Sequence, residues 1–149
     1  MDRFDLLGPL PGQPSTTVIE ASAGTGKTFT LASLVTRYVA EGRATLDQML
    51  LITFTRAASQ ELRERVRSAL IEALRALEDP GGTAETDLLR HLTAGSPEEL
   101  AARRARLRDA VAEFDVAGMV REKIRDYPPE KLESLVMSVA KEHLRTIEL

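Results

Sequence analysis

The chain has 149 residues, of which 43% are hydrophobic, and a formal net charge of −3 at neutral pH. A chain of this length fits one domain with a hydrophobic core of its own. The absence of cysteine excludes disulfides, thiolate metal sites and cysteine nucleophiles. The slightly acidic balance excludes a uniformly basic nucleic-acid clamp, although it leaves room for a local basic groove. Without a long apolar stretch or a signal-like N-terminus, a cytoplasmic protein with no membrane contact is expected.

The first third of the chain has the pattern of a strand, a loop and a helix. Residues 1–16 contain three prolines and are expected to form an irregular lead-in. A short apolar run predicts a strand over residues 18–20, which ends in a glycine-rich turn. Apolar residues at helical spacing then predict a helix from residue 28 to about residue 40, with Gly42 as its C-terminal stop.

The remaining elements continue this alternation. Residues 49–54 (MLLITF) are a continuous apolar run, which is typical of a strand buried on both faces. Helices are predicted over residues 56–78, over 85–92 and from Ser96 towards 114, and residues 114–117 are a candidate third strand. The expected fold class is therefore α/β, with a truncated parallel sheet of two to three strands, flanking helices and a C-terminal helical tail. Because so small a sheet leaves apolar edges uncovered, we expect a marginal or partner-dependent fold.

Residues 21–28 (ASAGTGKT) lie between the first predicted strand and the first predicted helix, which is the context of a phosphate-binding loop. Gly24 and Gly26 allow backbone torsions that direct N–H groups at phosphate oxygens, and the following helix adds its positive end. Lys27 is the one lysine beside thirteen arginines in residues 1–118, and a compact ammonium reaches the β and γ phosphates as a planar guanidinium does not. The hydroxyl of Thr28 is predicted to bind Mg²⁺. The fold is thus expected to be P-loop NTPase-like. Ala21 replaces the first glycine of the strict pattern. The residues predicted to bind ATP are Ala21, Ser22, Ala23, Gly24, Thr25, Gly26, Lys27 and Thr28.

Two segments together carry a resemblance to a known family. IEASAGTGKTFTL resembles the ATP-binding motif of the RecB branch of the UvrD-like helicases, and ITFTRAASQELRERVR resembles the motif Ia that follows it. The resemblance covers about residues 4–117 and implies part of an ATP-dependent DNA helicase/nuclease acting in double-strand-break repair and recombination. It implies ATP and Mg as cofactors, and single-stranded DNA and the other subunits of a RecBCD-like complex as partners.

In the same family the second segment lines the path of the single strand. Thr53, Thr55 and Arg56 are therefore candidate phosphate contacts, and Phe54 is a candidate stacking surface for a base. A buried position in the core is the alternative for Phe54.

Parts that such a motor needs are not found in the sequence. No run of four apolar residues is followed by Asp-Glu, the pair that would hold Mg²⁺ and orient water. The resemblance implies that this motif, the later helicase motifs and the nuclease domain would all follow residue 117. Residues 119–149 resemble instead a segment near the C-terminus of an uncharacterised bacterial membrane-protein family. We therefore expect a partial ATP-binding domain over residues 1–117, a helical tail of different origin over 118–149, weak Mg·ATP binding and no sustained hydrolysis.

Two other functions stay open on the sequence alone. One is a different P-loop enzyme such as a small nucleotide kinase, and the other is a non-enzymatic helical module whose tail pairs with a partner. Four arginines within residues 103–108 form either a DNA-facing patch or a solvated helix face, and the acids among them favour the second. His91 is expected to have an ordinary surface or capping role.

Overall fold

The computed structural model describes residues 5–11, 17–19, 26–79, 81–82 and 84–125, with side chains as far as residue 115. Two compact units are separated between residues 114 and 115. The helices are α1 (Lys27–Ala40), α2 (Arg56–Glu78), α3 (Asp87–Thr93) and α4 (Pro97–Arg125), and a short 3₁₀ helix covers Leu46–Gln48. None of the helices in these ranges is long and apolar enough to cross a membrane.

The hydrophobic core of the first unit is built from one face of each of the four helices. Three leucines from different helices, Leu70, Leu92 and Leu107, have no exposed surface. Burying a leucine side chain stabilises a fold by roughly 1.5–3 kcal/mol, so these contacts hold the helices together. The other buried apolar residues are Ala32, Val35, Val39, Ala40, Leu62, Val66, Ala73, Leu77, Leu88 and Ala110.

Local sequence signals explain where the helices begin and end. The predicted range of α2 is confirmed, and the Thr55 hydroxyl that precedes it accepts a hydrogen bond from the Ala58 N–H at 3.1 Å. Gly42 ends α1 as predicted, with a φ of +69° that favours glycine. An alanine methyl at Gly42 would also lie 2.7 Å from Cζ of Arg106, so the guanidinium that bonds the end of α1 would have to move.

Three arginines of α4 bond to the ends of the three preceding helices. Arg103 donates to the Ala94 carbonyl just after α3 at 2.7 Å, and Arg106 donates to the last carbonyl of α1 at 2.9 Å. Arg108 pairs with Glu78, the last residue of α2, at 2.7 Å. Cations stabilise the negative C-terminal ends of helices. Arg106 and Arg108 are exposed, as the solvated-face interpretation expected, and the bonds of the three arginines to helix ends are additional structural contacts that neither interpretation included.

The predicted α/β class is wrong, because the described residues form helices and contain no strand or sheet. Residues 17–19 and 49–53 have no regular secondary structure, and Leu50 and Ile52 are 82% and 80% exposed instead of buried. Residues 114–117 lie within α4, while residue 20 and the tail helix predicted from residue 132 lie outside the described residues. An apolar run predicts burial but does not supply the neighbouring strands whose N–H and C=O groups a strand must pair with.

Candidate functional site

The first site region is the start of α1. Gly26 precedes the helix with φ 87° and ψ 25°, a left-handed conformation that favours glycine. Among the described residues, the nearest atom to an added methyl would be Cβ of Phe29 at 4.0 Å, so it is the torsion that favours glycine there. The N–H and the hydroxyl of Thr30 both donate to the Gly26 carbonyl, at 2.8 and 3.1 Å. The glycine thus fixes the direction in which Lys27 enters the helix.

Among the described residues, no side chain caps the positive end of α1. Its first turn contains no acidic residue. In contrast, Thr55 and Thr86 cap α2 and α3, and α4 carries two glutamates in its first turn. Lys27 is exposed, and among the described residues its ammonium has no ion-pair partner. First-turn N–H groups that no described side chain caps, beside a cation, favour binding of a negatively charged group such as phosphate.

Of the predicted phosphate-binding segment, the structure describes only Gly26, Lys27 and Thr28. Thr28, the predicted Mg²⁺ ligand, is half-buried in the first turn of α1. One hydroxyl oxygen fits Mg²⁺ only together with phosphate oxygens and waters, which is the usual coordination of this ion. The predicted residues Ala21, Ser22, Ala23, Gly24 and Thr25 lie outside the described residues.

The second site region is the turn that leads into α2. The Thr53 hydroxyl donates to the Thr55 carbonyl at 3.2 Å and lies 2.5 Å from the Ser59 hydroxyl. Both threonine side chains therefore organise the turn, Thr55 as the cap of the helix. Phe54 is 107% exposed, so it is not the core residue that the alternative interpretation required. Arg56 is the first residue of α2 and is exposed.

Sequence reasoning missed a charged cluster at the other end of α1. The guanidinium Nε of Arg37 donates to Oε1 of Glu41 at 2.6 Å, and Nε2 of His91 lies 3.0 Å from the same oxygen. Burial raises the pKa of Glu41, but the hydrogen bonds and charges of Arg37 and His91 outweigh it, and the net pKa is below its ordinary value. The spacing of four between Arg37 and Glu41 is the one signal in the sequence that pointed to this pair.

A groove of about 250 Å³ lies between the turn after α1 and α4. Its charged lining residues are Arg43, Arg106, Asp109 and Glu113, two of each sign. None of the described residues predicted to bind nucleotide or DNA lines it, and a balanced lining favours no ligand charge. The groove is therefore not part of the candidate site.

Comparison with known proteins relates the chain to one family. The UvrD/REP helicase N-terminal domain matches residues 10–138. RecBCD enzyme subunit RecB of Mycobacterium tuberculosis (strain ATCC 25618 / H37Rv) is 63% identical over 120 residues, which cover 78% of this chain and 11% of that protein.

The RecB subunit of Mycolicibacterium smegmatis (strain ATCC 700084 / mc(2)155) is 66% identical over 117 residues, with 78% of this chain and 10% of the relative covered. That of Escherichia coli (strain K12) is 47% identical over 72 residues, with 43% and 6% covered. The chain thus spans about a tenth of the length of the mycobacterial relatives. No solved structure matches it.

Proposed function

The chain belongs to the UvrD/REP helicase N-terminal domain family and includes the N-terminal part of a RecB-like helicase, and we propose that its residues 21–28 bind the phosphates of Mg·ATP. The observation that carries the proposal is the start of α1, which is free of caps and acids, is entered through the left-handed Gly26 and bears the exposed Lys27. Thr28 supplies a hydroxyl for Mg²⁺. Binding is weak and is not followed by sustained hydrolysis, since no Asp-Glu pair follows an apolar run in the sequence.

The wider role follows from the relatives. Proteins named RecBCD enzyme subunit RecB support a place in a cytoplasmic ATP-dependent helicase/nuclease for double-strand-break repair, assembled with other subunits. Because the chain spans about a tenth of those relatives, the whole activity needs residues that this chain does not contain. We also propose that residues 118–149 differ in origin from residues 1–117. The high-identity matches cover 78% of the chain, and the family match extends across this boundary to residue 138.

Titration with a fluorescent ATP analogue in Mg²⁺ tests the nucleotide proposal. We expect saturable binding by the unaltered chain and at least a tenfold loss in Lys27→Ala, because the ammonium that contacts the phosphates is removed. Arg65→Ala is the matched control, since Arg65 is an exposed cation whose weak pair with Glu61 is distant in sequence from the site. Equal affinity in the unaltered chain and Lys27→Ala would overturn the assignment. Sustained phosphate release would refute the proposed lack of hydrolysis.

For the turn before α2 we propose contact with single-stranded DNA, with Phe54 stacking on a base and Thr53, Thr55 and Arg56 facing phosphates. The full exposure of Phe54 supports this, because a stacking residue must present a free face. Stacking is worth about 1–3 kcal/mol per base, so Phe54→Ala should weaken binding of an oligothymidylate about fivefold or more. Leu50→Ala, which removes another apolar side chain that is 82% exposed, is expected to leave the affinity unchanged. A loss of the same size in both variants would point to non-specific apolar binding instead.

A further inference from the structure

A single carboxylate oxygen joins two helices. Oε1 of Glu41, the residue just after α1, accepts a hydrogen bond from Nε of Arg37 at 2.6 Å, and Nε2 of His91 in α3 lies 3.0 Å from the same oxygen. The Glu41 side chain is 17% exposed and the Arg37 side chain 4%. Because the pKa of Glu41 is below its ordinary value, the carboxylate is ionised at neutral pH and can only accept, so Nε2 of His91 carries the hydrogen. Glu41 therefore links the end of α1 to α3.

The other side of the Arg37 guanidinium holds residues 5–11. One of its terminal nitrogens donates to two carbonyls of this segment, those of Leu6 and Gly8, at 2.6 and 2.8 Å. The Tyr38 hydroxyl donates to a third carbonyl of the segment at 3.1 Å. Residues 5–11 are thus irregular in secondary structure, as predicted, but they are fixed against the C-terminal half of α1.

The short helix α3 depends on contacts with the other helices. It has seven residues, and helices of this length are unstable in isolation in water. Leu88 and Leu92 bury its apolar face, and Arg103 of α4 donates to the Leu92 carbonyl at 2.8 Å. Among the described residues, the bond between His91 and Glu41 is the one side-chain hydrogen bond that joins α3 to α1. Loss of this bond should therefore loosen α3.

The two bonds at Glu41 depend on each other through the geometry of Arg37. A guanidinium is planar and rigid, so a turn of its plane after loss of the Leu6 and Gly8 carbonyls also moves Nε away from Glu41. Such a turn is favoured, because a buried guanidinium with unbonded donors is costly. A carboxylate that Arg37 no longer holds can in turn rotate away from His91. Groups that share one hydrogen-bond network are commonly coupled in energy.

We propose that Glu41 couples the docking of residues 5–11 on α1 to the docking of α3, so that loosening either one loosens the other. No hydrogen bond between described atoms joins these two segments directly, and they lie about eighty residues apart in the sequence. A partner that draws residues 5–11 away from α1 therefore also acts on α3, and the reverse holds with the same coupling free energy. The inference does not depend on nucleotide binding.

Hydrogen exchange of the full chain, followed by mass spectrometry at neutral pH, tests the coupling. Tyr38→Phe removes one anchor of residues 5–11 and leaves the bonds at Glu41 in place. We expect exchange to become about threefold faster or more in residues 5–11, and about twofold faster or more in α3. His91→Ala removes the link from the other side and should speed exchange in residues 5–11. In the double variant, Tyr38→Phe should no longer speed exchange in α3, because the bond that transmits the effect is already absent.

Arg90→Ala is the matched control on α3. Arg90 is exposed and bonds to Asp87 and to the Ala84 carbonyl, not to Glu41. Its loss should affect α3 alone and leave exchange in residues 5–11 unchanged.

Four results overturn the inference. The first is unchanged exchange of residues 5–11 in His91→Ala, and the second is unchanged exchange of α3 in Tyr38→Phe while residues 5–11 exchange faster. The third is an equal change of residues 5–11 in Arg90→Ala, which would reduce the effect to general stability. The fourth is an effect of Tyr38→Phe on α3 that persists in the double variant, because the hydrophobic core and not Glu41 would then carry the coupling. If Tyr38→Phe leaves residues 5–11 unchanged, His91→Ala decides.

Discussion

The two halves of α1 have different surroundings. In the C-terminal half, Thr36 and Arg37 are buried together with the apolar side chains. Arg106 of α4 bonds to the last carbonyl of the helix, and Arg37 bonds to the Leu6 carbonyl. In the N-terminal half, Lys27 is exposed, and Phe29 and Leu31 are exposed by 53% and 41%. One helix therefore combines a C-terminal half fixed in the core with a more exposed N-terminal half. Binding groups are commonly carried in this way, on a mobile or open segment supported by a rigid scaffold.

The largest expected effect separates the buried core from the exposed surface. Leu107→Ala removes a fully buried side chain and should lower the free energy of unfolding by about 2–5 kcal/mol. Leu50→Ala makes the same chemical change at a position that is 82% exposed, and it should stay within about 0.5 kcal/mol. Urea unfolding followed by circular dichroism measures both. Similar losses in the two variants would show that residues 49–54 are buried in solution.

A second prediction concerns the charged cluster of Arg37, Glu41 and His91 at the C-terminal end of α1. Since the pKa of Glu41 is lowered in the fold, the stability that its carboxylate contributes is present above the ordinary pKa of 4.5 and is lost as the pH falls below it. Glu41→Gln should cost on the order of 2 kcal/mol at pH 7, the value of a charged hydrogen bond, and should flatten the decline below pH 4.5. Denaturant titrations from pH 3 to pH 7 check both expectations. The free energy of unfolding of small domains is about 5–15 kcal/mol, so a change of this size is measurable. An unchanged acid profile in Glu41→Gln would refute the assignment of this stability to Glu41.

The cap of α2 should have a smaller effect. Thr55→Ala leaves an N–H of the first turn without its partner and should cost about 1 kcal/mol, whereas Thr55→Ser keeps the oxygen and should cost a few tenths. If Thr55 also faces a DNA phosphate, Thr55→Ala should weaken DNA binding more than Thr86→Ala, which removes an equivalent cap on α3. Thermal melts and oligonucleotide titrations of the same samples separate the two roles.

The smallest effect is expected at an exposed ion pair between α4 and the end of α2. Arg108 and Glu78 are 62% and 43% exposed, and exposed ion pairs contribute about 0–1 kcal/mol. Arg108→Ala should therefore lower the melting temperature by little, and 0.5 M salt should remove the difference from the unaltered chain. A loss that survives salt would mean that the long side chain stabilises the fold by packing instead of by charge.

Much of the helical structure could be predicted from the sequence because it depends on local signals. The bounds of α2 follow from Thr55, the helical spacing of its apolar residues and the break after Glu78. The end of α1 follows from Gly42. The strand predicted over residues 49–54 was wrong because a strand depends on partner strands elsewhere in the chain. An apolar run does not indicate whether such partners are present.

In the candidate site, too, the features that depend on local sequence could be predicted and those that depend on distant contacts could not. The positions of Gly26, Lys27 and Thr28 at a helix start followed from the motif, because torsion and spacing act within a few residues. The burial of Arg37 did not follow, because its partners Leu6 and Gly8 lie about thirty residues away and contribute only backbone carbonyls. Because every residue has a backbone carbonyl, the residue types do not indicate which carbonyl accepts a hydrogen bond. Contacts of this kind therefore cannot be predicted from a sequence pattern.

The exposure of residues 50–54 has a consequence for the behaviour of the chain in concentrated solution. Residues 49–55 read MLLITFT, a stretch without charge, proline or glycine in which Leu50, Ile52 and Phe54 all face solvent. Seven-residue segments of this composition are those that stack between molecules into fibrils when nothing covers them. We therefore expect that the exposure on which the proposed stacking by Phe54 depends also favours association between chains at high concentration.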